Sequence, residues 1–305
     1  MEKQKIIVIL GQTASGKSDL AVQIAKKYNG EIISADSRQV YKGLDIGTGK
    51  ITKKEMVGIK HYCLSYASPK RIHTVSQFIK IAKKALKEIS TKNKLPILCG
   101  GTGFYIDILL NEINLPEVKP NLKLRRKLEK CDTITLFNKL KILDKQRADT
   151  LLKNGGNKNK RRLIRALEII YDTNKPVTYF KNGIQNSNHN KINYAPLYIG
   201  INISENKLKD RIHKRLIQRL RRGLIKEVNE LQAQKILSWE KLQSLGLEYK
   251  YVALYLSGMI NKNELATQLE KEIWRYAKRQ MTWFKRNKSI NWVGNKNEAY
   301  RLVAQ

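Results

Sequence analysis

Short apolar runs alternate with amphipathic stretches over the first third of the chain. Residues 5–10, 31–35 and 95–99 form apolar runs that predict buried β-strands. Residues 17–28 and 75–90 repeat apolar positions with helical spacing. Strands that alternate with helices in this way favour a parallel sheet with helices on its faces. The pattern therefore predicts an α/β core.

The pattern changes after Pro116 and Pro120, where the chain becomes basic and helical. Helices are predicted over 121–130, 135–145 and 160–171, with a Gly- and Asn-rich break at 154–159 and a polar loop at 181–193. We therefore predict a helical insertion over 116–190. The core would comprise a first part, 1–115, and a continuation, 191–305.

In the last third of the chain, the hydrophobic pattern predicts a strand at 197–201, two long helices and a closing strand at 290–293. Ser204 is the expected N-cap of the first long helix, and the second covers 261–284. Apolar residues recur every four positions in the first: Leu208, Ile212, Leu216, Leu220 and Leu224. Its other faces are basic and carry Lys207, Lys209, Arg211, Lys214, Arg215, Arg219, Arg221 and Arg222. Such a face indicates either a polyanion contact or a solvated surface.

The charge balance points to a polyanionic partner. The 305 residues include 60 Lys and Arg against 26 Asp and Glu, a formal net charge of +34. Abundant solvated lysines are the alternative explanation. A membrane-surface protein would need an anchoring helix or a lipidation motif, and neither is evident, so no membrane partner and a cytoplasmic location are expected. The 3 cysteines and 4 histidines are scattered, which argues against disulfides and against a metal held by side chains alone.

A glycine-rich segment directly follows the first apolar run, as in a P-loop. Its backbone N–H groups can surround phosphate oxygens, Lys17 adds a positive charge, and the Ser18 hydroxyl can complete a Mg²⁺ shell. The residues expected to hold a diphosphate are Gly11, Gln12, Thr13, Ala14, Ser15, Gly16, Lys17 and Ser18. The fold prediction is therefore a P-loop NTPase-like parallel sheet flanked by helices, with the helical insertion as a further domain.

The acidic partner of this loop is less evident. Nucleotide-hydrolysing P-loop proteins carry a carboxylate at the end of a second strand, whereas here 95–99 is followed by Gly100-Gly101-Thr102-Gly103. Asp36 follows the strand at 31–35 instead. It could be a Mg²⁺ ligand, a catalytic base or the N-cap of a helix, and the residues alone leave the three open.

Four further segments resemble one enzyme family. Residues 33–48 (ISADSRQVYKGLDIGT), 100–105 (GGTGFY), 162–168 (RLIRALE) and 275–284 (RYAKRQMTWF), together with the P-loop, are similar to the tRNA dimethylallyltransferases, also called tRNA isopentenyltransferases. No Cys/His zinc-finger segment is evident after residue 284, and in this respect the chain resembles the short bacterial form of the family. Arg38 stands where the family commonly has methionine, and Asn159-Lys160 where relatives commonly show an acidic residue and a proline.

The resemblance implies an activity. The family transfers the dimethylallyl group of dimethylallyl diphosphate to N6 of the adenosine 3′ of the tRNA anticodon. It implies Mg²⁺ as cofactor with Ser18 as its ligand, and Asp36, Thr102 and Lys17 as catalytic residues. A monomer is expected. Contacts with the tRNA anticodon stem-loop are expected from Asp36, Ser37, Arg38, Gln39, Thr102, Arg161, Arg162, Arg165, Arg219 and Arg279.

Two other functions fit the P-loop. An ATP-dependent kinase of a small molecule or nucleoside would use the same core, with the basic middle section as its lid. A non-catalytic RNA-binding protein would use the loop only to regulate binding. Neither alternative accounts for the segment 33–48.

Overall fold

A computed structural model describes residues 4–110, 116, 118–182 and 194–305. The chain divides into two compact units, the first comprising Met1–Leu110 with Asn193–Gln305 and the second Asn111–Ile192. The predicted edges of the insertion, near 115 and 190, and the predicted polar loop beyond Asn182 lie outside the described residues. Within the described ranges, every helix is too short or too polar to cross a membrane.

The first unit is built on a six-stranded sheet in which every pairing is parallel. Its strands are β1 (Gln4–Leu10), β2 (Gly30–Ser34), β3 (His61–Tyr62), β4 (Leu95–Gly100), β5 (Tyr194–Ile201) and β6 (Asn291–Val293), in the order β3-β2-β4-β1-β5-β6. Residues Ile6 to Ile9 of β1 are fully buried, as both faces of a parallel sheet require. The predicted P-loop NTPase-like parallel sheet is confirmed.

Fifteen helices complete the described part of the chain. They are α1 (Lys17–Lys27), α2 (Lys53–Met56), α3 (Val75–Thr91), α4 (Gly103–Leu109), α5 (Leu122–Glu129), α6 (Thr133–Leu143), α7 (Lys145–Lys153), α8 (Lys160–Thr173), α9 (Tyr179–Asn182), α10 (Glu205–Arg221), α11 (Leu224–Ala233), α12 (Trp239–Leu245), α13 (Leu247–Leu256), α14 (Lys262–Phe284) and α15 (Lys296–Ala304). Helices α5 to α9 belong to the second unit, and the others belong to the first.

Two predicted helices differ from those observed. The prediction that one helix continues to Leu224 is wrong, because Gly223 adopts φ 97°, which ends α10 at Arg221 and lets α11 begin at Leu224. The segment predicted as a helix over 135–145 is two helices, α6 and α7, which meet at Asp144. The Asp144 carboxylate accepts the Arg147 N–H at 2.9 Å and so caps α7.

The second unit has its own apolar core, formed by α5 to α8. Glu168 of α8 is charged and has no exposed surface. Its carboxylate accepts hydrogen bonds from the Arg125 guanidinium at 2.7 Å, from the Asn121 N–H at 2.7 Å and from Arg165 at 2.5 Å. These donors offset the cost of burying the charge, and the pKa of Glu168 is lowered by them even though burial alone would raise it.

Candidate active site

The segment from Gly11 to Ser18 links β1 to the start of α1. Ala14 and Gly16 have φ of 61° and 99°, left-handed conformations that turn the backbone around the first residues of the helix. The Ser15 N–H donates to the Gln12 carbonyl at 3.2 Å within this turn. A helix N-terminus surrounded by such a turn has its N–H groups and positive dipole end available to an anion.

Six cationic residues line one cavity of about 540 Å³ beside this loop, and Lys17, Arg215 and Arg219 are three of them. Burial is the main cause that lowers the pKa of Lys17, and the two arginines lower it further. The pKa of Arg215 is lowered for the same reasons, by burial and by Arg219. Like charges held together in this way favour a multiply charged anion as ligand, because the anion would relieve their repulsion.

Arg219 is held by an acidic partner. Its guanidinium pairs with the Glu248 carboxylate, which is almost fully buried and lines the same cavity. Burial raises the pKa of Glu248, and the pairing with Arg219 opposes that rise. Gly49, at φ 57°, lies against the Arg219 guanidinium, where any Cβ would overlap it. The ion pair and this close packing together restrict the position of the arginine.

Asp36 follows β2 at the carboxyl edge of the sheet. Its Oδ1 accepts the N–H groups of Arg38 at 2.8 Å and Gln39 at 3.3 Å, and the next residues form a turn. The helix N-cap alternative is therefore wrong, because Asp36 caps a turn that no helix continues. The turn fixes the carboxylate at the cavity wall.

Thr102 is joined to this turn. Its N–H donates to the Ala35 carbonyl at 3.1 Å, and its Oγ1 accepts the Ser37 N–H at 3.1 Å. Gly100 makes the approach possible, because a Cβ there would overlap the Ala35 carbonyl. The ends of β2 and β4 thus bring Thr102 and Asp36 together, at the sheet edge where α/β proteins bind ligands.

The cavity collects many of the predicted residues. Those that line it are Thr13, Ala14, Lys17, Ser18, Asp36, Ser37, Arg38, Gln39, Arg219 and Arg279. Gly11, Gln12, Ser15 and Gly16 shape the loop behind it, and Thr102 reaches it through Ser37. Arg161, Arg162 and Arg165 lie on α8 of the second unit, where Arg165 also donates to the Val118 carbonyl at 2.9 Å.

Sequence reasoning missed Glu227, which organises the loop at 44–49. Its carboxylate on α11 accepts the N–H groups of Asp45 at 3.0 Å, Ile46 at 2.7 Å and Gly47 at 3.0 Å, and the Tyr249 hydroxyl at 2.8 Å. The carbonyls of Thr48 and Gly49 in turn accept the Gln39 side-chain amide, each at 3.3 Å. The contacts of Glu227 with Asp45, Ile46 and Gly47 join residues about 180 positions apart, so no local sequence signal exists for them.

Few of the described side chains at the cavity could coordinate a metal ion. The described residues contain no cluster of three or more His, Cys, Asp or Glu that could hold a metal ion. Ser18 lies exposed in the first turn of α1 and lines the cavity. A hydroxyl beside a phosphate loop fits Mg²⁺, which binds through few protein ligands together with phosphate oxygens and water.

Comparisons with known proteins agree on one family. A model of the family described as IPP transferase matches residues 39–287. The tRNA dimethylallyltransferase of Acetivibrio thermocellus is 40% identical over 299 residues, which cover 96% of this chain and 92% of that protein. The tRNA dimethylallyltransferase 2 of Treponema denticola is 40% identical over 301 residues, with 96% of each chain covered.

Solved structures give the same result. The full-length tRNA isopentenylpyrophosphate transferase from Bacillus halodurans matches with a TM-score of 0.71 and 33% identity, over 99% of this chain and 96% of that one. A eukaryotic dimethylallyltransferase described as acting on tRNA matches with a TM-score of 0.77 and 28% identity, over 92% of this chain and 69% of that one. The fold, the loop and these matches together show that the chain belongs to the IPP transferase family.

Proposed function

We propose that the protein transfers the dimethylallyl group of dimethylallyl diphosphate to N6 of the adenosine 3′ of the anticodon in tRNA and releases diphosphate. The relatives named above are transferases, which favours this activity over a kinase or a non-catalytic RNA-binding protein. The observation that supports this chemistry is that the phosphate loop and the Asp36 turn line the same cavity, so a diphosphate and a base could meet there.

The cationic wall suits the leaving group. Lys17, Arg215 and Arg219 would surround the diphosphate, with the N–H groups at the start of α1. As the allylic C–O bond breaks, the electron pair leaves with the diphosphate oxygen, and these fixed positive groups stabilise the added charge. Mg²⁺, held at Ser18 together with diphosphate oxygens, would supply further charge neutralisation when bound.

Asp36 is the proposed general base. The N6 amine of adenine is a weak nucleophile, because its lone pair is delocalised into the ring. The new C–N bond forms as N6 loses a proton to the Asp36 carboxylate, so the charge on nitrogen never accumulates. The two backbone N–H groups on Oδ1 hold the carboxylate in one orientation. We assign Thr102 to the same substrate contact, since its hydroxyl lies on the Asp36 turn.

Basic residues at the cavity and on α8 are proposed to bind the RNA. The target adenosine must leave the anticodon-loop stack to reach Asp36, which single-stranded loops allow at low cost. Ser37, Arg38 and Gln39 lie beside Asp36 and would contact the extruded base and its neighbours. Arg279 would bind phosphates at the same cavity, and Arg161, Arg162 and Arg165 are the contacts proposed for the second unit.

A transfer assay tests the proposal. Purified protein, Mg²⁺, unmodified tRNA and radiolabelled dimethylallyl diphosphate are incubated, and label in the tRNA is counted. Asp36→Asn keeps an Oδ1 that can cap the turn but loses the basic carboxylate, so we expect a fall in kcat of about 10²–10⁴-fold. The KM for dimethylallyl diphosphate should change little.

The matched control is Asp172→Asn, at an exposed position of α8, which should transfer label like the wild type. Equal label from Asp36→Asn and the wild type would remove Asp36 as the base while leaving the activity in place. No label from the wild type would contradict the proposed function itself.

A further inference from the structure

Gln280 connects two loops that are far apart in the sequence. It lies on α14 and is 5% exposed. Its side-chain oxygen accepts the Thr13 N–H at 2.7 Å, and its side-chain nitrogen donates to the Gly101 carbonyl at 2.9 Å. The phosphate loop and the turn after β4 are therefore joined through a single side chain.

The site is shaped for this amide. A carboxamide combines an acceptor and a donor in one plane, a combination that neither a carboxylate nor an apolar side chain offers. Gly101 leaves the space that the amide fills, because a Cβ on Gly101 would overlap the Gln280 nitrogen. A second contact lies close by: the Gln12 side chain donates to the Ala277 carbonyl of α14 at 3.1 Å.

The link continues to the reacting groups. Gly101 precedes Thr102, whose hydroxyl accepts the Ser37 N–H, and Ser37 follows Asp36. On its other side, Gln280 accepts the N–H of Thr13, so this donor helps to fix the loop, and the N–H groups at the start of α1 are the ones available to an anion. The contacts thus run from the diphosphate loop through Gln280 to the turn of the proposed base.

We propose that Gln280 is a positioning residue that fixes the distance between the diphosphate loop and the Asp36–Thr102 turn. This inference rests on the proposed function. Prenyl transfer needs the carbon released from the diphosphate to lie within reach of an amine held at Asp36. A displacement of about 1 Å between two such groups can cost about 10²-fold in rate. Gln280 is the described side chain that hydrogen-bonds to both loops.

Three variants test the link. Gln280→Glu keeps the acceptor for Thr13 and loses the donor to Gly101, Gln280→Ala removes both, and Gly101→Ala displaces the amide without changing it. Gln268→Ala, half-buried on the same helix, is the matched control. For each protein we would measure the single-turnover transfer rate at saturating substrates, the Kd of tRNA, the Kd of inorganic diphosphate and the thermal unfolding midpoint.

We expect the single-turnover rate of all three variants to fall about 10- to 100-fold, while the Kd of tRNA stays within about 2-fold of wild type. The double variant Gly101→Ala/Gln280→Ala should be no slower than the slower single variant, because both changes break the same link. The Gln268→Ala control should match the wild type in every measurement.

Two results would overturn the inference. One is a wild-type rate in Gln280→Ala. The other is a rate loss that is matched in size by weaker tRNA binding and accompanied by a lower unfolding midpoint, which would indicate a general loss of structure. Failure of the proposed function can be distinguished from failure of this inference, because the wild type itself would then transfer no label.

Discussion

The charge state of Lys17 matters to the phosphate loop. Its amine is buried near two arginines and donates to the Gln12 carbonyl at 3.2 Å. This environment lowers its pKa, so the ammonium begins to lose its proton at a lower pH than a solvated lysine does. A bound diphosphate acts in the opposite direction and favours the charged form.

Diphosphate binding should therefore weaken as the pH rises. We expect the affinity for dimethylallyl diphosphate, measured without tRNA, to fall across the alkaline range below pH about 10.4, the value of an unperturbed lysine. The terminal phosphate of this ester ionises near pH about 6, as phosphate monoesters do, so a loss of affinity in the alkaline range would report on the protein. Calorimetric titration at a series of pH values measures it.

Lys17→Arg supplies the control, because guanidinium stays charged throughout that range. The affinity of this variant for dimethylallyl diphosphate, even if lower overall, should stay constant across that pH range. A decline of the same steepness in the arginine variant would show that a group other than Lys17 titrates.

At the scale of elements, α11 supports the loop at 44–49 through one carboxylate. Glu227 accepts three backbone N–H groups and a tyrosine hydroxyl, and Tyr249 also packs on Gly47, where a Cβ would lie 2.6 Å from its ring. Both carboxylate oxygens are used. The loop is therefore ordered by a helix that begins more than 170 residues later in the chain.

Glu227→Gln should destabilise the first unit. The amide keeps one acceptor oxygen, and its NH₂ group would face N–H donors, so at least one partly buried donor, the N–H of Ile46 or of Gly47, is left without a partner. We expect a loss of about 1–3 kcal/mol in the free energy of unfolding, measured by urea denaturation. Glu230→Gln, on the same helix and paired with the exposed Lys226 at 3.8 Å, should change it by less than about 0.5 kcal/mol. Similar losses in both variants would contradict the supporting role of Glu227.

Elements with a strong local pattern were predictable, and long-range contacts were not. The runs at 5–10, 31–35 and 95–99 are strands because apolar residues fill both faces of a parallel sheet. The break at Gly223 was missed, since the four-residue leucine spacing continues across it. The phosphate loop and the segment that contains Asp36 are local motifs, so the sequence alone could single them out, and both contribute residues to the cavity wall. The contacts of Gln280 and Glu227 depend on tertiary packing between distant segments, which periodicity does not encode.

At the scale of the whole molecule, the net charge of +34 predicts strongly salt-dependent tRNA binding. Each phosphate contact to a single-stranded segment contributes a slope of about −0.7 to log K against log salt. Arg279 lines the cavity, and its guanidinium lies 5.9 Å from the Tyr276 ring centroid. It is thus an arginine held at the site, whereas Arg301 is exposed on α15.

Arg279→Ala should weaken tRNA binding. It should also reduce the slope of log K against log salt by about 0.7, the contribution of one phosphate contact, as measured by filter binding over a salt series. Arg301→Ala removes the same charge from the protein and should leave both quantities nearly unchanged. Equal effects of the two substitutions would show that total charge, and no local contact, determines the binding.

The pairing of β1 with β5 has a consequence for how the protein is made. Gln4 lies opposite Tyr194, so one side of β1 stays without its partner until nearly two thirds of the chain has left the ribosome, at about 5–20 residues per second. Through that interval the nascent chain exposes an unpaired apolar strand edge, and such an edge is a site at which chains can aggregate. Gln280 emerges later still, so an incomplete chain has the phosphate loop without the side chain that joins it to the Asp36 turn.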